Sequence, residues 1–170
     1  MHAALSRQPV AAATVVAAAG AATILGAYFF QYVMGLSPCP LCLEQRIAYY
    51  VTIPLAVVIA LAAGRNAPRR LLALGLAAIA LAMLFNAGLA LYHAGVEWKW
   101  WEGPRDCSGP LTDLTAGGDL LSSLHDLTVV RCDEAAWRFL GLSLAGYDVL
   151  ISAALAAVAA WGARASLQGK

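Results

Sequence analysis

The sequence predicts an all-α integral membrane protein, a four-transmembrane-helix bundle with one long loop outside the lipid. Hydrophobic residues make up 61% of the 170 residues, and charged residues only 12%. Uncharged runs occupy 10–34, 47–63 and 71–92. A fourth run, 149–163, becomes long enough to span if the helix begins near Gly146, which gives a span of 146–163, since about 20 apolar residues cross the hydrocarbon core. We therefore expect these four spans within a single domain, residues 1–170. The first run is too long for the apolar core of a signal peptide, which has about 7–15 residues, so we expect a retained helix.

The distribution of charge predicts the orientation. Three segments carry basic residues and no acid: the N-terminus, the turn after span two, and the C-terminal tail (Arg7; Arg65, Arg69 and Arg70; Arg164 and Lys170). By the positive-inside rule both termini and that turn are cytoplasmic. The loops at about 35–46 and 93–145 then lie on the opposite face. The net charge of +1 and the lack of a basic patch with interleaved aromatics give no indication of a nucleic-acid partner.

All four cysteines fall in the two outer loops. Cys39 and Cys42 lie in the first loop, and Cys107 and Cys132 in the second. Cysteines confined to the extracytoplasmic face favour disulfides. A metal site is the alternative, but Cys39 and Cys42 lack the second CxxC or the His pair that would make a zinc site a strong hypothesis. No metal is therefore predicted.

The first cysteine pair lies at the start of a predicted helix. Pro40 suits the first helical position, where its missing N–H costs nothing. Cys39 would then sit at the helix N-terminus, where unpaired amides and the helix dipole favour a thiolate. Arg46 lies one turn beyond Cys42 on the same face. Two interpretations of Arg46 stay open, a cation that supports a thiolate and a flanking side chain that snorkels to the headgroups.

Several polar and aromatic residues mark the other helices. The small residues of span one allow neighbouring helices to approach closely. Tyr49 and Tyr50 could line a ligand pocket, but an interfacial aromatic belt is the preferred interpretation. Asn86 is expected to hydrogen-bond to another helix. His93 ends span three on the same outer surface as the CxxC pair, where a helix cap or surface residue is more common than a catalyst.

The long second loop is predicted to carry a short helix on the membrane surface. Asp119 could cap it, and apolar residues then share one face at helical spacing (Leu120, Leu121, Leu124 and Leu127). A disulfide between Cys107 and Cys132 would close a loop with 24 intervening residues. Such a disulfide could be an ordinary structural link, but Cys107 lies in a Gly/Pro-rich segment where a link would secure little. A working disulfide is therefore the favoured interpretation.

The order of these motifs resembles the DsbB family of bacterial disulfide bond formation proteins over nearly the whole chain. The resemblance rests on the CPLC motif at 39–42 followed by Arg46, on the stretches 92–98 and 101–104 before Cys107, and on 132–142. The CxxC alone would be a weak signal, whereas the ordered set is a strong one.

The resemblance implies a function and roles for named residues. Proteins of this family oxidise a soluble periplasmic thioredoxin-fold partner, DsbA, and pass the electrons to a membrane quinone. By resemblance, Cys39–Cys42 is the quinone-facing pair, Cys107–Cys132 is the partner-facing pair, and Arg46 and His93 bind the quinone, with ubiquinone favoured over menaquinone. The implied location is the bacterial inner membrane, with the cysteines on the periplasmic side.

One departure and two rival functions accompany the resemblance. An acidic residue directly before the arginine is common in the family, whereas this chain has Gln45 there and Glu44 one position earlier. No function is assigned to either residue. The rivals are a reductase that runs electrons outward, like relatives of vitamin K epoxide reductase, and a membrane scaffold with structural disulfides. The order and loop placement of the two pairs argue against the reductase.

Overall fold

The computed structural model describes residues 2–104 and 131–168, and these form a helical bundle. The helices are α1 (His2–Tyr28), α2 (Pro40–Gly64), α3 (Arg69–Glu97) and α4 (Leu144–Gln168), and α1 continues into a π-helix at Phe29–Val33. Four of these segments are long and apolar enough to cross a membrane, Gln8–Val33 together with α2, α3 and α4. Large apolar side chains such as Phe85 and Leu81 are exposed on the bundle's outside, as expected where lipid is the solvent. The predicted fold class is confirmed.

The helices pack in ring order. The contacts are α1 with α2, α2 with α3, α3 with α4, and α4 with α1, with α3 and α4 packing most extensively. Small residues permit this approach: a Cβ added to Gly162 of α4 would lie 2.5 Å from the Cβ of Ala12 in α1. The buried centre is filled by Leu76, Ile79 and Met83 of α3. Close packing of small residues is the main source of affinity between helices in lipid.

The helices are longer than the apolar runs that identified them. The predicted first outer loop, 35–46, contains the first turns of α2, and α3 continues past residue 92 to Glu97. The physical reason is that a helix can continue beyond the hydrocarbon core: polar residues outside the core still form the backbone hydrogen bonds of the helix. The cysteine and histidine motifs are consequently held on helix ends.

A short hairpin returns the chain to α4. Strands β1 (Arg138–Phe139) and β2 (Leu142–Ser143) pair antiparallel. Leu140 and Gly141 between them both have positive φ, the backbone of the tight turns that suit two-residue hairpins. The Ser143 hydroxyl then accepts a hydrogen bond from the Gly146 N–H at 3.1 Å and caps α4. The predicted surface helix at 119–127 lies outside the described residues.

Candidate active site

Cys39 is the N-cap of α2, as the sequence predicts. It has an extended backbone, with φ −76° and ψ 166°, and Pro40 follows at the first helical position. This conformation is the one favoured for a residue that precedes proline. The Cys42 N–H donates to the Cys39 Sγ at 3.3 Å. A free backbone amide of the first turn therefore points at the sulfur, where it stabilises negative charge.

Cys39 and Cys42 are free thiols in contact with each other. Their Sγ atoms are 2.7 Å apart, farther than the roughly 2.05 Å of a disulfide bond. The hydrogen bond from the Cys42 thiol is the largest cause that lowers the pKa of Cys39, to about 5, with His93 and the Cys42 amide adding to it against the effect of burial. Cys39 is therefore a thiolate at neutral pH. Since thiolates are the reactive form of cysteine, Cys39 is an activated nucleophile.

His93 of α3 reaches across to this pair and is almost fully buried. Its Nε2 lies 3.5 Å from the Cys39 Sγ, and its Nδ1 lies 2.8 Å from the Nε2 of Gln45. Because an amide nitrogen can only donate, the neutral ring in this arrangement carries its proton on Nε2, facing the sulfur. The preference for a helix-cap or surface role for His93 is therefore wrong. Gln45, to which the sequence assigned no function, orients the ring.

Glu97, one turn beyond His93, completes the buried polar group around the pair. Its Oε1 lies 3.8 Å from the Nε2 of His93. Its other oxygen, Oε2, is buried without a hydrogen-bond partner among the described residues. On the far side, the guanidinium of Arg138 donates to the Glu97 carbonyl at 3.5 Å. Sequence reasoning missed Glu97, although its i, i+4 spacing from His93 was a usable signal.

Arg46 lies at the side of the bundle between α1 and α2. Its Nη1 donates to the Oε1 of Gln31 at 2.6 Å, and its Cζ lies 5.6 Å from the centre of the Tyr28 ring. Within the part of the chain that the structure describes, these two groups on α1 hold the guanidinium. Arg46 and Cys42 line the same cavity, which agrees with their predicted common face.

A mostly apolar cavity of about 400 Å³ opens beside the pair. Helices α1, α2 and α4 and the segment 36–38 form its walls. Its polar groups include Cys42, Arg46, Tyr49, His93 and Asp148. A cavity of this size, with a few convergent polar side chains on apolar walls, is typical of a small-molecule site.

A buried polar cluster joins three helices at one end of this cavity. Asp148 of α4 accepts hydrogen bonds from the hydroxyl of Tyr49, from the Nδ2 of Asn86 at 3.2 Å and from the hydroxyl of Ser152 at 3.2 Å. The predicted interhelical hydrogen bond of Asn86 is confirmed. Tyr49 is buried, so the belt interpretation is wrong for it, whereas Tyr50 is exposed. Sequence reasoning missed Asp148, although an acid within a membrane helix is itself a functional signal.

Cys132 is fully buried and disulfide-bonded. It packs in one small apolar cluster with Cys39, Leu41 and Val96. The chain on either side of it is held by ion pairs, since Asp133 lies against Arg131 and Lys99. These two cations lower the pKa of the Asp133 carboxyl. Cys107, the partner predicted for Cys132, lies outside the described residues.

The structure therefore brings most of the predicted site residues to one end of the bundle. Cys39, Cys42 and His93 are in contact, Cys132 packs beside Cys39, and Arg46 faces the cavity that Cys42 borders. All lie at the end opposite the 65–68 turn. This grouping is a thiol centre between a buried disulfide and an apolar cavity.

Comparison with known proteins identifies the family. The family model for the disulfide bond formation protein DsbB matches residues 9–162. The chain belongs to the DsbB family. It is 34% identical over 132 residues to a disulfide bond formation protein B of Xylella fastidiosa strain Temecula1, covering 76% of this chain and 75% of the relative. It is 31% identical over 147 residues to the protein of the same name from Azoarcus sp. strain BH72, covering 83% and 84%. No solved structure matches.

Membership in the DsbB family agrees with the geometry of the site. The four spanning helices make the chain a multi-pass membrane protein. The family name concerns disulfide formation, and the site holds a reactive thiol pair beside a disulfide-bonded cysteine. A disulfide-forming oxidoreductase role follows for this DsbB-family protein.

Proposed function

We propose that this protein reoxidises a periplasmic DsbA-like thioredoxin-fold protein and passes the electrons to a quinone of the inner membrane. The observation that carries the proposal is the position of the Cys39–Cys42 pair. Cys39 packs in the same cluster as disulfide-bonded Cys132, whereas Cys42 borders the apolar cavity. A pair with one sulfur towards a disulfide and the other towards an apolar cavity suits electron transfer between the two.

The proposed cycle is a sequence of thiol–disulfide exchanges. A reduced partner attacks the Cys107–Cys132 disulfide and forms a mixed disulfide, and its second thiol then resolves this bond, so that the partner leaves oxidised and the outer pair is a dithiol. The outer dithiol next reduces the Cys39–Cys42 disulfide by the same exchange. Each complete transfer breaks the disulfide of one pair and forms the disulfide of the other, and it moves two electrons and two protons.

The cavity residues fit a quinone. Apolar walls suit its ring and tail, and Arg46 offers N–H donors for a carbonyl oxygen that gains negative charge. The neutral ring of His93 carries a proton on Nε2, near the sulfurs. A quinone supplies an acceptor for two electrons and two protons, which regenerates the Cys39–Cys42 disulfide. We take ubiquinone as the first candidate.

We propose that the cysteine-bearing end faces the periplasm. The N-terminus of α2, the C-terminus of α3 and the N-terminus of α4 all meet at that end, and the basic 65–68 turn region is at the other. Both chain termini are then cytoplasmic by the positive-inside rule. This orientation gives the soluble partner access to the loop that carries Cys107 and Cys132.

Quinone reduction by the purified protein tests the proposal. Reduced DsbA-like protein is mixed with detergent-solubilised protein and a water-soluble ubiquinone, and quinone absorbance is followed. We expect quinol formation that requires both proteins, and none with Cys39→Ser. Electron flow from quinol to an oxidised thioredoxin-fold protein would favour the reductase instead. Resistance of the Cys132 disulfide to every thioredoxin-fold reductant would favour the scaffold.

A further inference from the structure

We propose that the reduced site is also a binding site for a thiophilic divalent cation such as Zn²⁺, with Cys39, Cys42, His93 and Glu97 as its four ligands. The Sγ atoms of the cysteines and a ring nitrogen of His93 lie within 4.8 Å of one another. The sequence lacked a second CxxC or a His pair, but the fold supplies the histidine from α3. Two thiolates, one imidazole and one carboxylate form a normal ligand set for zinc.

Glu97 is the independent observation that indicates a cation. Its side chain is nearly fully buried, and its Oε2 has no hydrogen-bond partner among the described residues. A buried carboxylate oxygen without a partner is costly, and its usual explanation is a proton, water or ion at the site. The other oxygen lies 3.8 Å from the same Nε2 of His93 that faces Cys39. The carboxylate is therefore on the side of the imidazole where the two sulfurs lie.

The distances among the two cysteines and His93 fit a tetrahedral ion after one adjustment, and Glu97, which is not in the group within 4.8 Å, must also move its carboxylate towards the sulfurs. Zinc bond lengths place a sulfur and a nitrogen ligand about 3.5 Å apart and two sulfurs about 3.8 Å apart. The distance from Cys39 Sγ to His93 Nε2 is already 3.5 Å, whereas the two sulfurs are 2.7 Å apart. They must therefore separate by about 1 Å. Rotation of the Cys42 side chain, which borders the cavity, provides this movement.

The surroundings also fit the charge and the histidine tautomer. Ligation through Nε2 requires the ring proton on Nδ1, and Gln45 can then turn its amide oxygen to accept that proton. Two thiolates neutralise Zn²⁺. The carboxylate of Glu97 adds one negative charge, which the neighbouring guanidinium of Arg138 offsets. Magnesium and calcium are excluded because they prefer an all-oxygen shell.

The site exists only in the reduced state, since a Cys39–Cys42 disulfide has no thiolate to offer. Binding displaces the remaining thiol protons and involves no electron transfer. If the proposed function holds, bound Zn²⁺ would keep the reduced pair from donating electrons, so micromolar Zn²⁺ would slow quinone reduction. This consequence rests on the proposed function, whereas metal binding itself does not.

Cobalt binding tests the site directly. Full-length protein with Cys107→Ser and Cys132→Ser, reduced anaerobically and freed of reductant, is titrated with Co²⁺. We expect one equivalent to bind, with a thiolate charge-transfer band and tetrahedral d–d bands that Zn²⁺ abolishes. His93→Asn and Glu97→Gln should each weaken binding by about tenfold or more. Glu44→Gln, which removes an exposed carboxylate near the start of α2, is the matched control and should bind as the parent does.

Two results would overturn the assignment. One is equal Co²⁺ affinity of the oxidised and reduced proteins, and the other is unchanged affinity in either His93→Asn or Glu97→Gln. Retained helical circular dichroism and a monodisperse detergent complex separate ligand loss from misfolding. Quinone turnover without added metal is measured on the wild-type preparation. Failure of turnover with intact Co²⁺ binding therefore counts against the proposed function alone.

Discussion

Replacing Cys42 with alanine should change the pH at which Cys39 becomes reactive. The Cys42 thiol, 2.7 Å from the Cys39 sulfur, is the largest cause of the lowered pKa of Cys39. In a Cys107→Ser, Cys132→Ser background, Cys39 should titrate at about 5. In Cys42→Ala its pKa should rise towards the ordinary value of 9.0, because only His93 and backbone amides then stabilise the thiolate. Cys42→Ser keeps a donor and should lie between the two.

The sign of the effect depends on the pH of the assay. Because the folded pKa is lowered, the thiolate persists as pH falls until about 5. In the limit of a full shift from about 9 to about 5, the thiolate fraction at pH 7 rises about 100-fold, but nucleophilicity falls about 40–100-fold over the same range. The two factors nearly cancel there. At about pH 5.5 the fraction rises about 2,400-fold, so the net rate gain is about 25–60-fold.

Alkylation of Cys39 by iodoacetamide across this pH range is the assay, with the modified peptide quantified by mass spectrometry. We expect the parent to react at pH 5.5 far faster than Cys42→Ala, and the two rates to converge at neutral pH. A parent midpoint near 9 would refute the inference that Cys39 is activated. Equal midpoints in the parent and Cys42→Ala would refute the role of the Cys42 thiol.

Four further predictions concern the proposed relay, the membrane topology and the cavity. Cys132→Ala should leave the remaining outer cysteine able to trap the partner as a dead-end mixed disulfide, visible on non-reducing gels. A reporter fused at Lys170 should be cytoplasmic, because the basic segments contain no acid. Arg46→Lys should weaken apparent quinone affinity about 10–100-fold, since losing a charge-assisted hydrogen bond costs about 1.5–3 kcal/mol; initial rates against quinone concentration measure this. Asp148→Leu should lower the free energy of unfolding in detergent by about 1–3 kcal/mol for each buried donor left unsatisfied.

Each of these predictions has an outcome that contradicts it. Full turnover by Cys132→Ala would end the relay hypothesis. A periplasmic C-terminus would place the cysteine-bearing end of the bundle on the cytoplasmic side, opposite to the predicted orientation. Superimposable rate curves for wild type and Arg46→Lys would leave Arg46 as a snorkelling anchor, since lysine also snorkels. An unchanged unfolding midpoint in Asp148→Leu would show that the polar cluster is not energetically important, with exposed Tyr50→Phe as the control.

The sequence was a good guide to the helices and a poorer guide to the contacts between them. Hydropathy identified four spans because lipid imposes long apolar runs. Local chemistry placed Cys39 at a helix N-terminus because Pro40 permits few other backbones. The contacts of His93 with Cys39 and Gln45 could not be read from the chain, since they depend on the rotation of α3 against α2.

The misassigned residues share a physical cause. Tyr49 and Asp148 lie near helix ends, where an interfacial residue and a buried one have the same sequence neighbourhood. Only packing shows that the Tyr49 hydroxyl meets Asp148 inside the bundle. Glu97 was assigned to the loop because the apolar run ends at residue 92, before His93. The end of an apolar run therefore locates the edge of the hydrocarbon, not the end of the helix.

In the proposed relay, the two cysteines of the pair suit different tasks. A relay sulfur that exchanges with the outer dithiol must leave as a thiolate when its mixed disulfide is resolved, and a low thiol pKa makes it a good leaving group. Cys39 has that pKa and packs in the cluster that contains Cys132. The sulfur that faces the acceptor must instead reach the cavity, and Cys42 does so one helical turn from Arg46. Cys39 is the sulfur that accepts an N–H of the first turn of α2, and such unpaired amides lie only at the N-terminal end of a helix.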